Sequence, residues 1–85
     1  MSRLLVVKVF REDTMESASG VRVTLGGGYG EQYTDRSGRA VFELPNNVSY
    51  VDVFVNGKTA KSNYYVGNGE LRAIVSRSGY FMRTI

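Results

Sequence analysis

Apolar residues in this chain recur at every second position, and that spacing confines it to β structure. Leu5, Val7 and Val9 alternate along the first segment, with Val6, Lys8 and Phe10 on the other face. Val21-Arg22-Val23-Thr24-Leu25 and Ala40-Val41-Phe42-Glu43-Leu44 alternate in the same way. Val51, Val53 and Val55 share a face opposite Tyr50, Asp52 and Phe54, and Leu71, Ala73 and Val75 repeat the pattern. Successive side chains of a strand point to opposite sides, so a period of two in Val-, Tyr- and Phe-rich runs marks half-buried strands. No ten-residue window carries the 3.6-residue stripe of an amphipathic helix.

Turn residues set the strand limits. Asn56-Gly57 separates two strand-like runs and supplies the two positive-φ positions of a type I′ hairpin turn. Gly67-Asn68-Gly69 is expected to do the same before 70–76, so that 49–55, 58–66 and 70–76 form a meander. Ser17 to Gly20 separates the first two strands, and Gly26-Gly27-Gly28 ends the second. Asp35-Arg36-Ser37-Gly38 breaks a strand around 29–34 from one at 39–44, and the tail 77–85 is either loose or one more short strand. Seven or eight short strands, spaced about 8–12 residues apart, predict a sandwich or barrel. At 85 residues there is room for a single domain, 1–85.

The chain has no cysteine and no histidine. Disulfides, thiolate catalysis and Cys-ligated metals are thereby excluded, as are the His-dependent triads and metal sites. Asp35, Asp52, Glu43 and Glu70 stand on separate elements without calcium-loop spacing, so no metal or cofactor is assigned and no enzymatic activity is expected. The net charge of +3 lies wholly in the second half. Residues 1–45 carry six basic and six acidic side chains, whereas 46–85 carry Lys58, Lys61, Arg72, Arg77 and Arg83 against Asp52 and Glu70.

Three segments together resemble a known family. They are Ser19-Gly20-Val21-Arg22-Val23-Thr24-Leu25, Tyr33-Thr34-Asp35-Arg36-Ser37-Gly38-Arg39-Ala40-Val41-Phe42-Glu43-Leu44-Pro45 and Ser49-Tyr50-Val51-Asp52-Val53. A Gly-Val-x-Val strand, a Thr-Asp-x-x-Gly-x-Ala-x-Phe turn-strand and a Tyr-x-x-x-Val strand, in that order, resemble the carboxypeptidase regulatory-like family. That family shares a transthyretin-like (prealbumin-like) β-sandwich with the collagen-adhesin B-type repeats. The resemblance covers about residues 3–76 and implies a Greek-key sandwich of seven or eight strands with a non-catalytic accessory role. The chain departs from the pattern at Met15-Glu16-Ser17-Ala18-Ser19, where a proline is usual, and at Asn46-Asn47, where a glycine is usual.

Two relatives of that fold perform chemistry, and neither chemistry fits. The transthyretin-like hydroxyisourate hydrolases use histidines and a C-terminal Tyr-Arg-Gly-Ser, whereas this chain ends Met82-Arg83-Thr84-Ile85. The collagen-adhesin repeats link a first-strand lysine to a last-strand Asn or Asp. Here Lys8 alternates away from the Leu5/Val7/Val9 face, and 70–76 offers no such partner.

The middle motif also reads physically: Asp35 can accept hydrogen bonds from the turn backbone, Gly38 permits a positive φ, and Ala40 and Phe42 then face inward. Asn56, Gly57, Asn68 and Gly69 complete the turn-forming set. Gly57-Lys58-Thr59 mimics the end of a phosphate-binding loop, but Asp52 occupies the place of the required glycine. Asn47-Val48-Ser49 is a glycosylation sequon, relevant only in a eukaryotic secretory setting.

Candidate partner-binding residues are Tyr29, Tyr33, Tyr50, Phe54, Lys58, Lys61, Tyr64 and Arg72, aromatic and basic side chains on strands or in the Gly26–Gly30 loop. A protein partner or neighbouring domain is the leading expectation, because Val6, Phe10, Tyr50 and Phe54 are apolar on the face away from the core. A single-stranded nucleic-acid surface is the first alternative, although no RNA-recognition or cold-shock motif accompanies the aromatics. A small-ligand carrier formed by self-association, hence a homo-oligomer, is the second. The longest early apolar run, Leu4 to Val7, is too short for a signal core or a membrane span. A chain complete as given is expected to be cytoplasmic, and one excised from a longer secreted protein extracytoplasmic.

Overall fold

The alternating segments form eight strands in a computed structural model that describes residues 2–85, Ser2 through its backbone alone. They are β1 (Ser2–Arg11), β2 (Arg22–Leu25), β3 (Glu31–Tyr33), β4 (Arg39–Pro45), β5 (Tyr50–Val55), β6 (Lys58–Tyr65), β7 (Glu70–Val75) and β8 (Phe81–Thr84). The tail thus adds a short strand. Two four-stranded sheets result, in the orders β4-β1-β7-β8 and β3-β2-β5-β6.

One inward stripe from each sheet builds the core. Leu5, Val7 and Val9 of β1, Ala40, Phe42 and Leu44 of β4, and Leu71, Ala73 and Val75 of β7 come from the first sheet. Val23 and Leu25 of β2 and Val51, Val53 and Val55 of β5 meet them from the second. Side chains of both sheets share one buried cluster, so the sheets pack face to face, and the Cα radius of gyration of 11.8 Å matches the ~12 Å expected for a close-packed chain of this length. Ile74 departs from the pattern. Alternation places it on the outer side of the first sheet, in register with Phe10 and Arg83, yet it is buried.

The meander expected over 49–76 stops at its second strand. Asn56 (φ 50°) and Gly57 (φ 81°) do turn β5 into β6 as a hairpin. After Tyr65, however, Val66–Asn68 forms a 3₁₀ turn in which Val66 is buried. The chain then crosses to the other sheet, where β7 lies parallel to β1 with Val6 opposite Glu70 and Arg11 opposite Val75. Gly69 is left-handed (φ 82°), but Asn68 is not, so this turn is no hairpin. Burial of Val66 draws the chain into the core instead of back along β6. β6 itself is a blunted edge, with Lys58, Lys61, register shifts against β5 and a left-handed Asn63 whose N–H donates to Asp52 Oδ1 at 2.9 Å.

The β3–β4 turn is organised by Asp35. Its Oδ1 accepts N–H bonds from Ser37 (2.8 Å) and Arg39 (3.1 Å). Beside it Thr34 is a buried polar residue whose Oγ1 accepts the Val21 N–H at 2.9 Å and donates to the Ala18 carbonyl at 2.6 Å. This hydroxyl stitches the segment entering β2 to the end of β3. Thr34→Val removes both bonds while keeping the shape, leaving a buried N–H and C=O unpaired. Urea unfolding should show a loss of about 1–3 kcal/mol, with Thr34→Ser retaining most of it.

Gly38 and Gly57 are both left-handed, at φ 77° and 81°. A Cβ on Gly38 would lie 2.7 Å from the Val9 carbonyl oxygen and 3.0 Å from Ser17 Cβ, whereas one on Gly57 meets open space. Gly57→Ala should therefore cost only the left-handed penalty of about 1–2 kcal/mol. Gly38→Ala should cost clearly more in the same unfolding assay, because the obstacle is core-strand backbone.

Candidate functional site

The outer face of the second sheet gathers three of the candidate side chains. Alternation that buries Val23, Val51, Val53 and Val55 turns Thr24, Tyr50 and Phe54 outward, and pairing brings Tyr33 opposite Arg22, Phe54 opposite Thr24 and Tyr50 opposite Tyr65. Tyr33 is 58% exposed, Tyr50 61% and Tyr65 46%, while Phe54 is half-buried. The Tyr50 and Tyr65 rings tilt at 45° with centroids 5.6 Å apart, an aromatic pair across the β5–β6 ladder. Arg22 Nε donates to Glu31 Oε2 at 2.7 Å, which raises the Arg22 pKa still further and presents a neutralised charge pair next to Tyr33. Tyr65 belongs to this surface through its pairing with Tyr50, a relation that only the register reveals.

The remaining candidates lie elsewhere. Lys61, Tyr64 and Arg72 line a cleft of about 370 Å³ with Glu70, Thr84 and Ile85, where β6 faces the end of the other sheet. Tyr64 is half-buried there against the core, and its hydroxyl donates to the Glu70 carbonyl. Arg72 Nε is paired with Glu70 Oε2 at 3.1 Å. Lys58 sits beside the β5–β6 turn, opposite Val55. Tyr29 folds back over Gly27, where an added Cβ would lie 2.8 Å from its ring, and packs on the core. Val6 and Phe10 point outward from the first sheet and Tyr50 and Phe54 from the second, so the apolar outer residues of β1 and β5 lie on opposite sides of the molecule.

A third feature lies at one pole of the sandwich. Asn56 does more than turn a hairpin: its Oδ1 accepts the Arg22 N–H at 3.3 Å, and its Nδ2 donates to the Gly79 carbonyl. It thereby ties the β5–β6 turn to the loop joining β7 and β8. Next to it Asp13, just beyond β1, holds Arg11 Nη2 at 3.2 Å and Arg77 Nε at 3.4 Å with one carboxylate oxygen. Partial desolvation raises the Asp13 carboxyl, but the Arg11 charge, the hydrogen bonds from Arg77 and the Thr14 backbone, and the Arg77 charge outweigh it. Its pKa therefore lies below the ordinary 3.8. Asp13 and Arg77 are 64 positions apart, so no local pattern announces the cluster.

Among the described residues, no group of three or more acidic side chains converges in a way that could hold a metal ion. Among the described residues there is also no helix long and apolar enough to cross a membrane. No family model, curated protein or solved structure matches the chain.

The lowered Asp13 pKa has a defined consequence for stability. A carboxyl depressed on folding stabilises the native state above its unfolded pKa, and that contribution is lost as pH falls through the folded value. Asp13→Asn should accordingly unfold at lower urea than the parent chain at neutral pH. The two midpoints should converge once the solution is acidified below the depressed pKa, and the gap should shrink in high salt because the cluster is at the surface.

Proposed function

We propose that this chain is a non-catalytic accessory or protein-interaction module built on a prealbumin-like Greek-key sandwich. The fold half of this reading is supported by two four-stranded sheets whose consecutive strands repeatedly cross from one sheet to the other: β1 to β2, β3 to β4, β4 to β5 and β6 to β7. The motif order Gly-Val-x-Val, Thr-Asp-x-x-Gly-x-Ala-x-Phe and Tyr-x-x-x-Val falls on β2, the β3–β4 turn and β5 of that arrangement.

The observation that carries the functional half is the aromatic outer face of the second sheet. Tyr33, Tyr50 and Tyr65 keep about half or more of their surface in water, with Phe54 between them and the Arg22–Glu31 pair at the rim. Large, semi-rigid rings of this kind lose little conformational entropy on docking and are enriched where proteins meet. Partner capture with the intact chain, or with its parent polypeptide, tests the reading. Tyr33→Ser/Tyr50→Ser should lose a partner that the unmodified protein retains, with the circular dichroism spectrum unchanged. Sedimentation should separate a foreign partner from a second copy. Capture that is indifferent to both substitutions would sink the proposal. The nucleic-acid alternative has Lys61 beside the smaller cleft as its basic contact, and single-stranded DNA binding that weakens steeply with salt would establish it.

A further inference from the structure

The polar cleft at the Asn56 pole is a second and chemically different site. It has a volume of about 400 Å³, and its wall is made by Arg11, the 17–21 segment, Asn56 and the loop 75–79. Two guanidinium-bearing residues, Arg11 and Arg77, and four serines (Ser17, Ser19, Ser76 and Ser78) line it. No carboxylate and no aromatic ring does. That lining offers hydrogen-bond donors and positive charge, and it gives an apolar or cationic ligand little to hold.

Arg11 is incompletely satisfied in this arrangement. Its Nη2 is bonded to Asp13, but its Nε is buried without a hydrogen-bond partner among the described residues. That nitrogen is closed off from solvent, so only the terminal nitrogens of the Arg11 guanidinium can face the cleft. Arg77 stands at the mouth with its side chain 80% exposed. Asp13, which holds both guanidinium groups, is not part of the wall. It bonds Arg11 through Nη2 and Arg77 through Nε, and the terminal nitrogens of Arg77 make no hydrogen bond among the described residues. Planar guanidinium donors suit a tetrahedral or planar oxyanion, with hydroxyls completing the shell.

We infer that this cleft binds a small phosphate-type oxyanion, either free phosphate or the phosphate end of a small monoester, through Arg11, Arg77 and the serine hydroxyls. A cleft of about 400 Å³ has room for the anion with a short polar remainder attached. The site is separate from the aromatic face of the second sheet, and its occupancy does not depend on that face having a partner.

Titration of the isotopically labelled chain with inorganic phosphate, and in parallel with glycerol 3-phosphate, tests the inference. Amide shifts should concentrate at 17–20 and 76–79 and saturate. Tighter binding of glycerol 3-phosphate would identify a monoester as the ligand, and equal or weaker binding would identify the free anion. Arg77→Gln, at a side chain 80% exposed, should weaken binding about tenfold, the loss of one charge-assisted contact, with the circular dichroism spectrum unchanged. Arg3→Gln, at the opposite end of β1, should leave it unchanged. Shifts reproduced by sodium chloride at the same ionic strength, shifts scattered over the surface, or affinity unaltered by Arg77→Gln would each overturn it.

Discussion

The parallel ladder between β1 and β7 is the constraint on which the rest of this structure depends. β1 is hydrogen-bonded along both edges, to β4 over residues 2–8 and to β7 over 6–11. Its inward residues Leu5, Val7 and Val9 are wholly buried. Without β7, β1 would become an open edge, and β8, which pairs only with β7, would have no place in the sheet. Val6 and Glu70 are 64 positions apart, so this contact carries a loop-closure cost that no local hairpin meets. The local units, β2–β3, β5–β6 and β7–β8, can form on their own hairpin turns. The β2–β5 ladder joins two of them into one sheet, and the β1–β7 and β1–β4 ladders with the shared core bind the whole into one molecule.

The direction of that ladder also decides where chemistry can gather. Because β1 and β7 run the same way, both end at the same pole, and the residues that follow them meet there. Arg11 ends β1, Asp13 follows it, and Ser76-Arg77-Ser78-Gly79 follows β7. Glu12 N–H donates to the Val75 carbonyl at 2.8 Å, which fixes the two exits side by side. An antiparallel pairing would have sent the 76–79 loop to the opposite end of the molecule, away from Asp13. The polar cleft and the aromatic sheet face therefore have different origins: the first from a long-range pairing, the second from alternation within strands.

Much of the architecture was legible in the residues. The period-two runs and the turn residues located seven strands to within a residue or two at most ends and left the tail 77–85 open between a loose end and the eighth, since burying one face of a sheet demands alternation whatever the neighbours are. Asn56-Gly57 announced its hairpin because few other residue pairs tolerate two positive φ values in succession. Gly67-Asn68-Gly69 looked alike and misled, because the same glycines also suit a 3₁₀ turn, and burial of Val66 decided between them. Of the eight proposed binding residues, Tyr33, Tyr50 and Phe54 share a face and Lys61, Tyr64 and Arg72 share a cleft. Tyr29 is spent on packing against Gly27 and the core. The Arg11–Asp13–Arg77 cluster and the Thr34 hydroxyl went unseen, since each depends on segments distant in the chain.

What the sequence by itself determined is the inward stripe of most strands, where most of the turns fall and which catalytic chemistries it lacks residues for. Those properties are local: a strand's inward face is written in alternate positions, and a left-handed turn in its Asn and Gly. The tertiary structure alone decided which strands are neighbours, that β7 joins β1 in parallel, and that three scattered charged residues meet at one pole. Backbone hydrogen bonds carry no residue identity, so an alternating strand can pair with any other of matching face. The choice among partners is made by how the whole core closes.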